Sequence, residues 1–282
     1  MEMKLLIDKI FQKGRESGLN DMEVYYSAGS SLSLKVFQKE LDTYNLSESE
    51  GLSLRGVYNG KMGYSYSEKV DETSIDQLVR DVLENAVIID SEDEEFIFEG
   101  SKEYKKVDSF NPTLSNVSEE KKIEFVKSLE EEAFKQDKRI ASVEVCVYGD
   151  GYGETIMSNT KGLFLQEKSN IAYTYIVVVA KEGEDIKTGM AYRTGNDFNK
   201  FNAHVIAKEA VDEALALLGA SSVKSGDYNV IIRNSAAAEL LEAFTGIFSA
   251  EAVQKNLSLL KGKLNEKIAS DKFTLIDDPY ME

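Results

Sequence analysis

The apolar residues of the sequence run through the same order of patterns twice, and this repeat constrains the fold more than any other feature. In the first copy, a helical stripe from Met3 to Phe11 is followed by alternating runs and then by a second helical stripe from Ile75 to Ala86. The alternating runs lie at Glu23–Ala28, Leu32–Val36, Leu52–Leu54 and Met62–Tyr66. Stripes of period 3.6 indicate amphipathic helices, and runs of period 2 indicate strands with one buried face. Asn59-Gly60 between two runs is typical of a hairpin turn. Residues 1–90 are therefore predicted to form a helix, an antiparallel meander and a second helix.

The second copy is predicted over residues 118–222, after a linker at 91–117 that opens with an acidic run. Ser118 precedes a helical stripe that continues to Ala133, and the last stripe runs from Ala203 to Leu218. The strands between these helices are predicted at Val143–Val147, Glu154–Ser158, Leu163–Leu165 and Ala172–Ala180. Because helices and strands do not alternate in βαβ order, the sheets are expected to be antiparallel. The fold class is α+β, with two α–β-meander–α modules related by structural duplication.

A glycine-rich segment, Gly149-Asp150-Gly151-Tyr152-Gly153, separates two of these predicted strands. It resembles a phosphate-binding loop, but neither a helix nor a Lys-Ser/Thr pair follows it. A hairpin turn is therefore the preferred interpretation.

The pattern changes near residue 223, where a third, β-rich domain is predicted to begin and to occupy 223–282. Tyr228–Arg233 is predicted as a buried strand, Ser235–Phe244 as a helix entered from it, and Phe273–Ile276 as a final strand. So few elements form a marginal core, and the segment is expected to pack on the modules or to belong to a longer parent chain.

The composition limits the chemistry that the chain can perform. Its 282 residues include one histidine, His204, and one cysteine, Cys146, so the chain cannot supply two imidazole ligands to zinc. His204 is expected on a helix surface, and Cys146 is expected to act as a small, partly buried hydrophobic residue. Because the chain has no disulfide framework, a reducing, cytoplasmic compartment is expected.

The charge of the chain argues against two classes of partner. Fifty acidic and 33 basic residues give a formal net charge of −17, which repels nucleic-acid phosphates and anionic lipids. The longest strongly apolar run, Ile176–Ala180, is far shorter than the roughly 20 residues that a membrane span needs. Neither nucleic acid nor a membrane is predicted as a partner.

Three segments stand out together: Ser47–Tyr66, with its Gly-Leu-x-Leu-Arg strand, the predicted strand-to-helix turn at 228–252, and Lys261–Ser270. These segments resemble the TldD/PmbA family, whose members are described as modulators of DNA gyrase and as metallopeptidases. The resemblance covers nearly the whole chain. It implies a cytoplasmic assembly of two subunit types that acts on unfolded or small peptides, with the metal in one type only.

In the metal-bearing type, a helix of the third domain carries His-Glu-x-x-x-His. The corresponding positions here are occupied by Glu242, Ala243 and Ile247, which replace the first ligand, the general base and the second ligand. The resemblance therefore implies a PmbA (TldE-like) subunit with no catalytic residue and no metal of its own, ending before the usual C-terminal portion of the family. Zinc is expected in a TldD-like partner, and a peptide is the expected substrate.

Other interpretations remain open from the residues alone. The chain could be an independent hydrolase that uses acidic residues, or a non-enzymatic interaction scaffold, and it could form a homodimer. Arg55 stands out as a charged residue in an apolar strand, and it is a candidate contact for a peptide or for a second subunit.

Overall fold

The computed structural model describes residues 3–90 and 95–280. These fall into two compact units, with the division between Ala220 and Ser221. The acidic run at 91–94 that opens the predicted linker lies outside the described residues.

The first half of the first unit contains two helices and three strands. They are α1 (Met3–Glu16), β1 (Met22–Phe37), β2 (Glu40–Tyr58), β3 (Lys61–Ser67) and α2 (Ile75–Ile88). Asn59 and Gly60 have φ of 51° and 77°, which confirms the predicted hairpin turn between β2 and β3.

The second half repeats this order after a short helix. Its elements are α3 (Pro112–Ser115), α4 (Glu119–Gln136), β4 (Ile140–Asn159), β5 (Phe164–Glu182), β6 (Asp185–Gly195) and α5 (Ala203–Leu217). Ser118 accepts a hydrogen bond from the backbone N–H of Lys121, and Asn202 accepts one from Val205, so both long helices begin at a side-chain cap.

All six strands form one antiparallel sheet in the order β3-β2-β1-β4-β5-β6. The first strand of each half lies at the centre and the third at an edge, and β1 pairs with β4 where the halves meet. The predicted α+β class and antiparallel pairing are confirmed. The module boundaries at 90 and 118 stay predictions, because the two halves share a single sheet.

The helices cover one face of the sheet at its two ends. Leu6, Leu54 and Val79 belong to a buried cluster in the first half, and Leu34 and Ile206 belong to a second cluster under α4 and α5. The sheet thus supports two hydrophobic cores on the same face, one for each half.

The segment Gly149–Gly153 corrects the sequence interpretation, because it lies in the middle of a single twenty-residue strand, β4. It pairs with β1 on one side and with β5 on the other. The Tyr173 ring lies over Gly149, where a Cβ atom would come within 2.6 Å of the ring. The glycines therefore allow close packing within a sheet, and they form neither a turn nor a phosphate loop.

The predictions for the last segment are correct for the helix and wrong for the strands. The second unit contains α6 (Asn234–Glu242), a 3-10 turn (Thr245–Phe248) and α7 (Ala250–Gln254). Tyr228–Arg233 and Phe273–Ile276 pair with no strand, and Ile231 is 98% exposed instead of buried. An apolar run becomes a strand only when a neighbouring backbone hydrogen-bonds to it, and the described part of this unit provides none.

Among residues 3–90 and 95–280, none of the helices is both long and apolar enough to cross a membrane.

Candidate functional site

An uncovered strip of the sheet lies between the two hydrophobic cores. Along β1, β2 and β4 the even-numbered side chains point to the face that bears the helices, so Ala28, Ser30, Glu48, Glu50 and Tyr152 lie on this strip. All five are only partly buried or exposed, whereas the next residues of β1 on this face, Tyr26 and Leu32, each belong to a core.

Two adjacent cavities open on the strip. One of about 490 Å³ is lined by the five residues of the strip together with Gly29 and Ser49. The other, of about 400 Å³, shares Ser30 and Tyr152 and extends to Lys122, Asp150 and Asn170. A third cavity, of about 640 Å³, also includes Tyr152. Tyr152 therefore lines all three of these cavities.

The carboxylates on and beside the strip bond tyrosines, and one of them, Glu154, also lies 3.7 Å from Lys168 Nζ. Tyr26 donates a hydrogen bond to Glu50 at 3.3 Å, and Tyr152 donates to Glu154 at 3.1 Å. Burial and these neighbouring carboxylates raise the pKa of both phenols, so both tyrosines stay protonated and act as donors. In the described part of the chain, Glu48 has no ion-pair partner. The strip thus presents negative charge beside tyrosine rings.

A buried ion pair forms the wall of the second cavity. Lys122 Nζ of α4 lies 2.6 Å from Asp150 Oδ2 of β4, with the two side chains 10% and 14% exposed. The Tyr148 hydroxyl donates to the same oxygen at 2.7 Å. Packed aromatic rings, including those of Phe125 and Phe198, surround Tyr148. This pair fixes α4 against the centre of the sheet.

The connector between the halves forms the opposite wall. Asn170 of β5 donates its backbone N–H to Ser109 O, and its side-chain amide both accepts from Asn111 N and donates to Asn111 O. The Phe110 ring between them meets the Tyr152 ring edge to face at 5.9 Å. The connector is therefore held on β5, next to the cavities.

Arg55 lies on the opposite face of the sheet from the cavities. Its guanidinium contacts Glu23 Oε1 through Nε at 2.9 Å and Nη2 at 2.7 Å, directly across the β1–β2 ladder. The Arg55 side chain is 43% exposed and that of Glu23 is 7% exposed. The ion pair accounts for a charge in this strand, and a contact of Arg55 with a peptide or subunit stays a prediction.

The degenerate motif lies in the second unit. Glu242 is the last residue of α6, Ala243 follows it, and Ile247 belongs to the 3-10 turn. These positions offer a metal one carboxylate and two hydrocarbon side chains, a donor set that does not fit zinc. Over residues 3–90 and 95–280, no three or more His, Cys, Asp or Glu side chains are grouped so that they could hold a metal ion.

The single histidine and cysteine lie away from the strip. Exposed His204 contacts Glu132 through Nδ1 at 2.8 Å, on the surface between α4 and α5. Cys146 is buried, its thiol donates to Val126 O, and burial raises its pKa. The structure places neither at a candidate reaction centre.

Sequence analysis missed Lys122, Asp150 and Tyr152. Lys122 occupies a position on the apolar stripe of α4, four residues before Val126, and a charge on such a stripe is a usable signal for a buried pair. Asp150 and Tyr152 were hidden because their glycine neighbours favoured a turn.

Sequence comparison matches three family models along the chain. Domain 1, the central domain and the C-terminal domain of the PmbA/TldA metallopeptidases match residues 22–86, 112–218 and 225–282, respectively. A metalloprotease of Methanocaldococcus jannaschii is 27% identical over 98% of this chain and 61% of its own length. A metalloprotease TldD homolog of Haemophilus influenzae is 25% identical over 82% of this chain and 50% of its own length.

Solved structures show the same fold. A Thermotoga maritima protein described as a modulator of DNA gyrase is 27% identical, with a TM-score of 0.86 over 93% of this chain and 59% of its own. TldE from Thermococcus kodakarensis is 18% identical, with a TM-score of 0.79 over 94% and 60% of the two chains. This last likeness shows the fold alone. The chain spans about three fifths of the length of the first relatives it matches.

Proposed function

This chain belongs to the PmbA/TldD metallopeptidase family, and from that premise we propose that it is a PmbA/TldE-like subunit, without a catalytic metal, of a complex that processes peptides. The single observation that carries the proposal is the substitution of the metal motif by Glu242, Ala243 and Ile247.

The chemical argument concerns the activation of water. Hydrolysis at neutral pH requires the pKa of water to fall from about 15.7 to about 7, which a zinc ion with a nearby general base achieves. Ala243 cannot accept a proton and Ile247 cannot bind a metal. What this chain contributes is therefore binding surface, and the metal is supplied by a TldD-like partner in the cytoplasm.

The uncovered strip supports a peptide-handling role. It combines concave volume, tyrosine hydroxyl donors and carboxylates beside extended strands, the features with which proteins hold extended peptides. A small compact ligand would be enclosed in one pocket, whereas these adjoining cavities follow the strands.

Metal analysis and peptide hydrolysis test the proposal together. The purified chain is expected to retain no stoichiometric zinc after dialysis and to leave a mixed peptide library intact. A TldD-like subunit bearing His-Glu-x-x-x-His is expected to hydrolyse that library faster with the chain than without it. Hydrolysis by the chain alone in the presence of a chelator would support the acidic hydrolase instead. If the chain neither binds peptides nor stimulates the TldD-like subunit, the result would support the interaction scaffold.

The proposed role of Arg55 must be tested with a variant that does not leave the Glu23 carboxylate without a partner. Arg55→Ala alone leaves the Glu23 carboxylate buried without its cation, so the double variant Arg55→Met with Glu23→Gln is the appropriate test. If Arg55 contacts a peptide or subunit, this variant lowers stimulation of the TldD-like partner while the melting temperature changes little. Unchanged stimulation would show that Arg55 is a structural residue only.

A further inference from the structure

Half of β2 is an open sheet edge. β3 pairs with β2 from Leu52 to Tyr58, whereas Glu40–Gly51 pairs only with β1 among the described residues. An edge of this length presents a row of backbone N–H and C=O groups that can pair with another extended chain.

The ladder determines which residues offer these groups. Val57 N donates to Asp21 O at 2.9 Å, so odd-numbered residues of β2 bond towards β1. Backbone N–H and C=O groups of successive residues point to opposite edges of a strand. The groups of the even-numbered residues Tyr44, Leu46, Glu48 and Glu50 therefore point away from β1, towards the open edge. The same four side chains lie on the helix-bearing face, and Leu46, Glu48 and Glu50 line the cavities of the strip.

In the second half of the first unit, the corresponding edge belongs to β5, and another segment of the chain lies on it. β6 pairs with β5 only from Ala172 onward, so among the described residues the outer edge of the earlier part of β5 has no strand, while β4 pairs with its inner edge. There the connector of the chain itself lies on the edge, with Asn170 N donating to Ser109 O at 3.1 Å. An extended segment therefore already binds at the place in the second half that corresponds to the open edge in the first.

From this difference we propose that the β2 edge between Leu41 and Glu50 binds an extended, basic peptide as an added strand, with alternate side chains entering the cavities of the strip. The proposal rests on the peptide-handling function and specifies its ligand and its binding site.

Charge selects the occupant of the edge. Residues 40–50 include Glu40, Asp42, Glu48 and Glu50 and contain no basic residue. Lys35 pairs with Asp42 at 3.1 Å, and the glutamates 48 and 50 have no cationic partner in the described part of the chain. A second copy pairing through the same edge would bring carboxylates next to carboxylates, which destabilises a strand pair. Lysine or arginine on the added strand meets these carboxylates instead.

Fluorescence anisotropy with this chain alone tests the proposal. The probe is a labelled ten-residue peptide of alternating lysine and valine, and the matched control peptide has glutamate in place of lysine. Leu46→Pro removes one outward N–H without touching the ladder to β1, and Leu46→Val keeps that N–H. We expect Leu46→Pro to weaken lysine-peptide binding about tenfold and Leu46→Val to change it less than about twofold.

A charge-reversal variant provides the second test of the proposal. Glu48→Lys with Glu50→Lys is expected to favour the glutamate peptide over the lysine peptide, and added salt should weaken both interactions. Equal binding of the two peptides to the unaltered chain, or binding insensitive to Leu46→Pro, would overturn the proposal. Concentration-dependent dimerisation that Leu46→Pro abolishes would assign the edge to a second copy. Since this readout needs no hydrolysis, failure of stimulation of a TldD-like subunit would leave the binding result standing.

Discussion

The two halves of the first unit, residues 3–88 and 119–217, make the same contacts at their outer strands. Gly63 of β3 faces the backbone of α2, where a Cβ atom would lie 1.8 Å from Val82 O, and Gly189 of β6 faces α5, where a Cβ atom would lie 2.2 Å from Ala210 O. Asn85 then donates to Tyr64 O, and Glu213 accepts from Met190 N, each bonding the outer edge of its strand. The duplicated framework is thus retained where a helix covers a sheet edge.

The halves differ where they meet. The β1–β2 turn is held from outside, because buried Glu130 of α4 accepts the backbone N–H groups of Gln38 and Lys39 at 2.9 and 2.6 Å. The β4–β5 turn uses its own Asn159, whose Oδ1 accepts from Lys161 N and Leu163 N. It also bonds the first half, because Thr160 N donates to Met22 O and Thr160 Oγ1 accepts from Met22 N. The halves therefore differ in how these turns are held, and they differ separately at the edge of their second strand, where the connector bonds Asn170 of β5.

The largest expected effect concerns the buried ion pair that only the second half contributes. Lys122→Met leaves Asp150 without its cation and is expected to lower the free energy of unfolding by about 3 kcal/mol, at the low end for buried pairs because both side chains keep some exposure. Chemical denaturation measures this loss of unfolding free energy. Adding Asp150→Asn, which still accepts from Tyr148, should recover most of the loss. A Lys122→Met variant as stable as the unaltered protein would show that the pair contributes nothing.

The two close helix–strand approaches should respond alike to the same substitution. Gly63→Ala and Gly189→Ala each force a methyl group against helix backbone, and each is expected to cost about 2–3 kcal/mol of unfolding free energy. Gly51→Ala is the matched control, since its added Cβ atom would find its nearest neighbour at 3.8 Å. A large effect at one of the two sites only would break the equivalence of the halves.

The two hairpin turns should respond differently. Glu130→Ala removes a buried carboxylate that receives two backbone hydrogen bonds, and it is expected to cost about 2 kcal/mol, while Asn159→Ala costs about 1 kcal/mol because the lost bonds are neutral. Glu130→Gln keeps one acceptor oxygen, so its free energy of unfolding should lie between that of the unaltered protein and that of Glu130→Ala. Equal losses from the two alanine variants would mean that the turns are anchored equally.

The smallest expected effect on stability concerns the loops that lead from a helix into the two central strands, β1 and β4. Asp137 follows α4 and bonds both the guanidinium and the backbone N–H of Arg139, and these bonds lower its pKa to about 2. Because the folded pKa lies below the unfolded value of about 3.9, the stabilisation is present above about pH 4 and is lost as the pH falls towards 2. A carboxyl NMR titration measures the pKa directly, and Arg139→Gln should move it back towards 3.9. The loop between α1 and β1 turns instead at Gly18, which has a φ of 92°.

Local patterns predicted much of this fold. The helical stripes located α1, α2, α4 and α5, and Asn59-Gly60 located the β2–β3 turn, because both signals depend on residues close together in sequence. The polar first half of β2 and the whole of β6 were missed. Glu40–Glu50 carries little alternation of hydrophobicity, since one edge and one face of this stretch are not covered.

The candidate site was less accessible to prediction than the fold. The resemblance predicts that Glu242, Ala243 and Ile247 replace the metal motif, and a sequence can carry this prediction because the motif is contiguous. The strip around Tyr152 depends instead on β1 pairing with β4, so residues from distant parts of the chain line it.

The sequence by itself determined the repeated order of elements and the family, and it carries the prediction that the metal ligands are replaced, since each is a matter of residue type and local spacing. Only the tertiary structure decided that the two halves share one sheet, that Gly149–Gly153 lies within a strand, and that the β2 edge is open while the β5 edge is covered. The physical reason is that strand pairing is a contact between segments far apart in the chain, and its free energy depends on which backbone lies alongside.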